Sequence, residues 1–110
     1  MAYNTALAER VNARISDING VIEKKMFGGI AFMVHGNMCV GVVKENLCAR
    51  VGKDAYGDLS EKPGARPMDF TGRPMKGWLF IGPEVLADDD VLQTWIDRCH
   101  RFVGTLPRKA

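Results

Sequence analysis

The side chains able to do chemistry in this 110-residue chain are two histidines, three cysteines, scattered carboxylates and fifteen lysines and arginines. The most suggestive stretch is "KKMFGGIAFMVHGNMCVGV", residues 24–42, where basic charge and glycine invite a phosphate-binding reading. The specific phosphate patterns, G-x-x-x-x-G-K-[ST] and G-x-G-x-x-G, are absent, and the glycines lead into strands and not into a helix N-terminus. Gly28, Gly29 and Gly36 therefore read as turn residues. His35 falls at an expected hairpin tip, and His100 lies one turn from Asp97 on the last helix, placed for an ordinary i, i+3 contact. Cys99 and His100 would point about 100° apart on that helix, so their adjacency makes no nucleophile–base pair.

The remaining candidates are explained structurally. Cys39, Cys48 and Cys99 form no C-x-x-C pair and have no histidine at metal-ligand spacing, so they read as small buried hydrophobes. Asp88, Asp89 and Asp90 suit the start of a helix, Asp54 and Asp58 an exposed short one, and Glu23 and Asp69 have no identifiable partner. No catalytic residue, cofactor site or metal site is expected. Lys24, Lys25, Arg50, Arg66, Arg73 and Lys76 lie in or beside strands and would make an anionic-partner patch if they converged. A net charge of +2 supplies little field for that purpose.

These residues need elements to hold them. Tyr3, Leu7, Val11, Ile15 and Ile18 recur at helical spacing, with Asn4 to cap the start and Asn19-Gly20 to end the segment. The next thirty residues or so switch to a period of two, broken at Gly28-Gly29, Gly36-Asn37 and Lys44-Glu45-Asn46, which predicts a four-strand antiparallel meander. "GKDAYGDLSE" is a short helix with Ala55, Tyr56 and Leu59 inward. "MDF" and "GWLFI" read as two more strands joined by "TGRPMK", with a break at Gly82-Pro83. Val91, Leu92, Trp95, Ile96, Cys99, Phe102, Val103 and Leu106 then keep 3.6 spacing in a closing helix that Gly104 and Pro107 stop. The order α-β4-α-β2-α predicts an α+β domain, about six antiparallel strands with helices packed against them, over residues 1–110.

A register follows from the turns. With a two-residue turn at Gly36-Asn37 and a three-residue loop at 44–46, Val34 faces Cys39, Phe32 faces Gly41, and Val43 faces Leu47. Ile30, Phe32, Val34, Cys39, Gly41, Val43, Leu47, Ala49 and Val51 then form the core face, with the Phe32 ring over Gly41. Ala31, Met33, His35, Met38, Val40, Val42, Cys48 and Arg50 take the other face, which is too apolar to be left in water. A second layer of the chain or a partner is expected to cover it, with Met33, Met38, Val40 and Arg50 as the candidate interaction surface. Arg50 is placed to reach a partner's carboxylate or to sit over a methionine. Cys39 and Cys48 fall on opposite faces, which excludes a disulfide between them.

Bulk properties agree with an ordinary globular domain, at 46% hydrophobic and 25% charged residues. The N-terminal stretch lacks an apolar core, and the longest apolar run is 30–34, so neither a signal peptide nor a spanning helix is expected and the location is taken as cytoplasmic.

"KKMFGGIAF", "GNMCVGV", "LCARVG", "RPMDFTGRPMKGWLFI" and the closing amphipathic helix together resemble the N-terminal domain of the TfoX/Sxy family, associated with regulation of natural competence in bacteria. The resemblance runs from about Arg10 to Pro107, and Met26 to Gly29 is its most specific block. It implies an α+β fold similar to secretion-chaperone and YjbR-like domains. It also implies a domain without catalytic residues or cofactor, whose competence regulators act with a transcription factor and carry a further helical domain that is not expected here.

The leading expectation is a stand-alone, non-enzymatic regulatory module that binds protein, either itself as a homodimer or a regulatory factor, and no membrane. Two alternatives stand beside it. One is a nucleic-acid accessory protein using Lys24, Lys25, Arg50, Arg73 and Lys76. The other is a small-ligand or enzymatic domain with a cleft near Trp78 and Arg73, where polar groups meet apolar walls.

Overall fold

In a computed structural model of the chain, described over residues 3–26, 28–67 and 76–107, the elements appear in the expected order with one addition. Helix α1 (Thr5–Ile15) starts as the sequence indicates, with the Leu7 amide donating to the Asn4 side chain at 3.0 Å. Four strands follow, β1 (Val21–Met26), β2 (Gly29–Val34), β3 (Asn37–Val43) and β4 (Asn46–Arg50). Then come α2 (Lys53–Leu59), β5 (Ala65–Pro67) and β6 (Trp78–Ile81). The Gly82-Pro83 break begins a one-turn helix, α3 (Pro83–Leu86), because proline is pre-set for the first helical position. Helix α4 (Asp89–Val103) closes the described chain, with Asp88 accepting from the amides of Asp90 and Val91.

The strands make one antiparallel sheet in the order β1-β2-β3-β4-β6-β5. The expected strand "MDF" lies outside the described residues, and the fifth strand is the preceding Ala65–Pro67. It occupies the sheet edge, where a proline with no N–H costs least.

The turns differ from expectation by one residue each, and the differences matter. Met26 pairs with Gly29, so the first reversal comes before Gly29 and includes Gly28, with φ 72°; residue 27 lies outside the described residues. Gly29 is already in β2, where a side chain would run into the Val42 carbonyl oxygen. Val34 pairs with Asn37, which makes His35-Gly36 the turn, with φ 49° and 84°. Val43 pairs with Asn46, leaving a two-residue turn at Lys44-Glu45. Between Phe32, opposite Val40, and Met33, opposite Met38, β3 carries one residue too many, Cys39.

That bulge inverts the expected faces of β3. Val40 and Val42 join Cys39 in the core, while Gly41 and Val43 turn to the other side. Gly41 pairs with Ala31, so the room it leaves is not for Phe32 but for Met38, whose terminal methyl would stand 2.9 Å from a Gly41 side-chain carbon. Leu47, Ala49 and Val51 face the core as expected.

All four helices contribute to the layer on that core face. Leu7, Val11 and Ile15 of α1, Leu86 of α3, and Leu92, Trp95, Ile96, Cys99 and Val103 of α4 bury against Phe32, Val42, Leu79 and Ile81. Tyr56 and Leu59 of α2 pack at its margin. Arg10 and Arg14 of α1 both reach Asp89 at the head of α4, at 2.8 and 3.2 Å, and Arg10 also donates to the Leu86 carbonyl. Asn37, the buried polar side chain of the described core, donates to the Pro107 carbonyl at 2.9 Å and ties the segment after α4 to β3. Among the described residues no helix is long and apolar enough to cross a membrane.

Two glycines test this packing in opposite directions. Gly29→Ala should destabilise the fold by about 1–3 kcal/mol, because the obstruction is backbone. Gly57→Ala, in α2 with nothing within 4 Å, should stabilise it by about 0.5–1 kcal/mol. Urea midpoints of the two variants should move in opposite senses; shifts of the same sign would contradict the close approach of Gly29 to β3.

Candidate interaction surface and basic cleft

The sheet face away from the helices carries its own apolar cluster. Ala31, Met38 and Cys48 are buried there, with Met33, Val43, Trp78 and Phe80 half-buried around them, and no helical residue joins. Strand pairing arranges this face in rows. Lys24, Ala31, Gly41, Cys48, Phe80 and Arg66 line up across all six strands, small side chains in the middle and a cation at each end. Beside them run Ile22, opposite Met33, then Met38, and at the far side Arg50, opposite Trp78. Ile22, at 65% exposed, is the one large apolar side chain left exposed among the described residues.

The arginines sit on aromatic rings. Arg66 lies over Phe80 at 5.4 Å and Arg50 over Trp78 at 5.2 Å, distances at which a cation is drawn to the ring face. Arg50 also lies 5.8 Å from the Phe102 ring of α4 and donates one hydrogen bond, to the Met38 carbonyl at 3.3 Å. The sequence places Arg50 to reach a partner's carboxylate or to sit over a methionine; its contacts within the chain are the rings of Trp78 and Phe102 and the backbone oxygen of Met38.

At that corner the sheet meets α2 and α4 in a cleft of about 470 Å³. The amides of Val51 and Gly52 both donate to the Gly77 carbonyl, at 2.8 and 3.1 Å, and Gly52, with φ 86°, turns the chain into α2. A side chain at Gly52 would meet the Phe102 ring. The walls are Arg50, Lys53, Asp54, Lys76, Trp78 and Phe102 with the intervening backbone. The cleft expected near Trp78 and Arg73 is thus present at Trp78, while Arg73 lies outside the described residues. Its other cations could not be assembled from sequence, since Lys53, Lys76 and the Phe102 wall come from three separate elements.

The expected candidates separate into two groups. Met33, Met38 and Arg50 share the helix-free face, but Val40 is fully buried against the helices, because the bulge reverses its side. Lys24 and Lys25 point to opposite faces, one opposite Ala31 and the other opposite Ile30. Lys76 precedes β6, four strand spacings from β1 or about 19 Å away. Among the described residues, Lys24, Lys25 and Lys76 do not converge on a single patch; Arg73 lies outside them.

The histidines and cysteines complete the inventory. His35 and His100 line one hollow together with Asp17 and Asn37, an approach the sequence did not reveal. The expected His100 contact to Asp97 is not made; the Asp97 carboxylate accepts from Gln93 instead. All three cysteines are buried and free, as expected. Burial pushes the Cys39 and Cys48 thiols up to about 12, opposed at Cys39 by the Arg50 charge, and raises Cys99 as well. Among the described residues no cluster of three or more His, Cys, Asp or Glu side chains could hold a metal ion.

A family model described as the TfoX N-terminal domain matches residues 13–103. No curated protein and no solved structure matches the chain.

The buried thiols set a pH dependence. Below pH 9 each is protonated in both folded and unfolded chains; above it the unfolded chain releases protons that the fold retains up to about pH 12. Each thiol therefore removes about 1.4 kcal/mol of stability per pH unit across that window. Between pH 8 and pH 10, Cys48→Ala should lose about 1 kcal/mol less stability in urea than the parent chain. Equal losses would show that the Cys48 thiol is not shielded.

Proposed function

The chain belongs to the TfoX N-terminal domain family, and from that premise we propose that it is a non-enzymatic regulatory module that acts by binding protein through the helix-free face of its sheet. The observation that carries this reading is the apolar cluster of Ala31, Met38 and Cys48 with Met33, Trp78 and Phe80 on a face to which no helix contributes. Membership supports a role like that of competence regulators, in which the partner is a transcription factor or a second copy of the chain.

The chemistry of the face suits such a partner. Small side chains at Ala31, Gly41 and Cys48 keep the middle of the face low, and Met33 and Met38 beside them adapt their shape at little cost. Lys24 and Arg66 at the two ends offer charge for orientation, and Ile22 extends the apolar area to the β1 edge. Aromatic residues such as Trp78 and Phe80 are the types that dominate binding energy at protein interfaces.

Light scattering and affinity capture from a competence-proficient bacterium test the proposal, comparing the parent chain with Ile22→Asp/Met33→Asp. Both positions are at least partly exposed, so the substitutions should leave the fold intact by circular dichroism. Self-association or capture of a transcription factor should weaken at least tenfold in the variant. A strictly monomeric parent that captures no regulator, or capture unchanged by the double substitution, would overturn it.

A further inference from the structure

Arg50 occupies an unusual position. Its guanidinium has five N–H donors, and the structure uses one of them, toward the Met38 carbonyl at 3.3 Å. The residue is half-buried between Trp78 and Phe102, and burial lowers its pKa. It forms no ion pair: among the described residues the recorded ion pairs are those of Arg10 and Arg14 with Asp89. A partly desolvated cation without a counter-ion is costly unless something supplies one.

The surroundings point to what would supply it. The cleft sets three cations, Arg50, Lys53 and Lys76, against one carboxylate, Asp54. Its volume of about 470 Å³ falls within the range of small-molecule sites, and its walls include two aromatic rings. A second hollow shares Val51, Ala55 and Phe102 with it and adds Arg98 and Arg101 against Asp58, so positive charge continues along α4.

We propose that this cleft binds a small organic anion with an aromatic body, whose carboxylate or phosphate takes the unused N–H donors of Arg50 and whose ring lies on the cleft wall beside the guanidinium, which itself fills the space between Trp78 and Phe102. Lys53 and Lys76 at the rim draw the anion in, and the planar fork of Arg50 holds it in two-point contact. The low carboxylate content of the walls selects against cationic ligands. This site shares Trp78 with the protein-binding face above, but the variants below leave Ile22 and Met33 untouched, so the failure of one reading is distinguishable from the failure of the other.

Four probes separate the contributions: adenosine monophosphate, indole-3-acetate, inorganic phosphate and adenosine. Binding is read from amide shifts of Lys53, Gly77, Trp78 and Phe102 in NMR titrations. At least one ring-bearing anion should shift these residues, at least tenfold more tightly than inorganic phosphate or adenosine. Adenosine monophosphate as the tighter of the two identifies phosphate as the anion, and indole-3-acetate identifies carboxylate. Arg50→Lys, which keeps the charge but loses the fork, should weaken that binding at least tenfold. Lys53→Gln/Lys76→Gln, at exposed positions that do not threaten folding, should weaken it several-fold and flatten its salt dependence. No shift with either ring-bearing anion, shifts located elsewhere, or equal affinity in all variants would overturn the proposal.

Discussion

One surplus residue in β3 governs how this sheet is used. With Cys39 inserted opposite the Phe32–Met33 step, every later side chain of β3 changes sides relative to strict alternation. Val40 and Val42 then fill the space beneath α4, and Gly41 falls between Ala31 and Cys48 on the opposite face. Without the bulge that row would contain a valine in place of a glycine, and Met38 would have no floor on which to lie. The helix-packed core and the shallow apolar face are thus two results of one backbone irregularity.

The same irregularity explains how far sequence reasoning reached. Periodicity identified α1 and α4, the Asn4 cap, and the role of Asp88, because those depend on contacts a few residues apart. The strand order through β4 was equally legible. The faces of β4 also agree with expectation, although two side-reversing slips precede them. Missing the bulge displaced β3 by one residue, and reading 44–46 as three turn residues in place of two displaced it back. Alternation alone cannot detect a paired slip, since each slip preserves the pattern of apolar residues while changing the side that carries them. Cys39 followed by Val40, two consecutive core side chains within an alternating strand, is the mark the bulge leaves in the sequence.

The cleft was less legible, for a topological reason. Its walls come from the end of β4, the start of α2, the approach to β6 and the last turn of α4, so successive wall segments are separated by 21 positions, Ala55 to Lys76, and 24 positions, Trp78 to Phe102. Lys53 and Lys76 are each unremarkable in their own segments. They become neighbours only because Val51 and Gly52 hydrogen-bond to Gly77, which fastens the β4–α2 junction to the start of β6. The basic residues that do attract notice in sequence, Lys24 and Lys25, are divided between the two faces by the pleat.

Arg50 joins the cleft to the helix-free face. Its backbone pairs with Trp78, and its guanidinium lies between that ring, on the helix-free face, and Phe102, on the helix that closes the core. It also donates one N–H to the backbone carbonyl of Met38, whose side chain rests on Gly41 in the middle of the apolar face. An anion on the unused N–H donors leaves the Met38 bond in place and supplies the counter-charge that the cation between the two rings lacks. One side chain thus touches the rim of the apolar face, the backbone beneath it and α4, and the cleft and the helix-free face meet at Arg50.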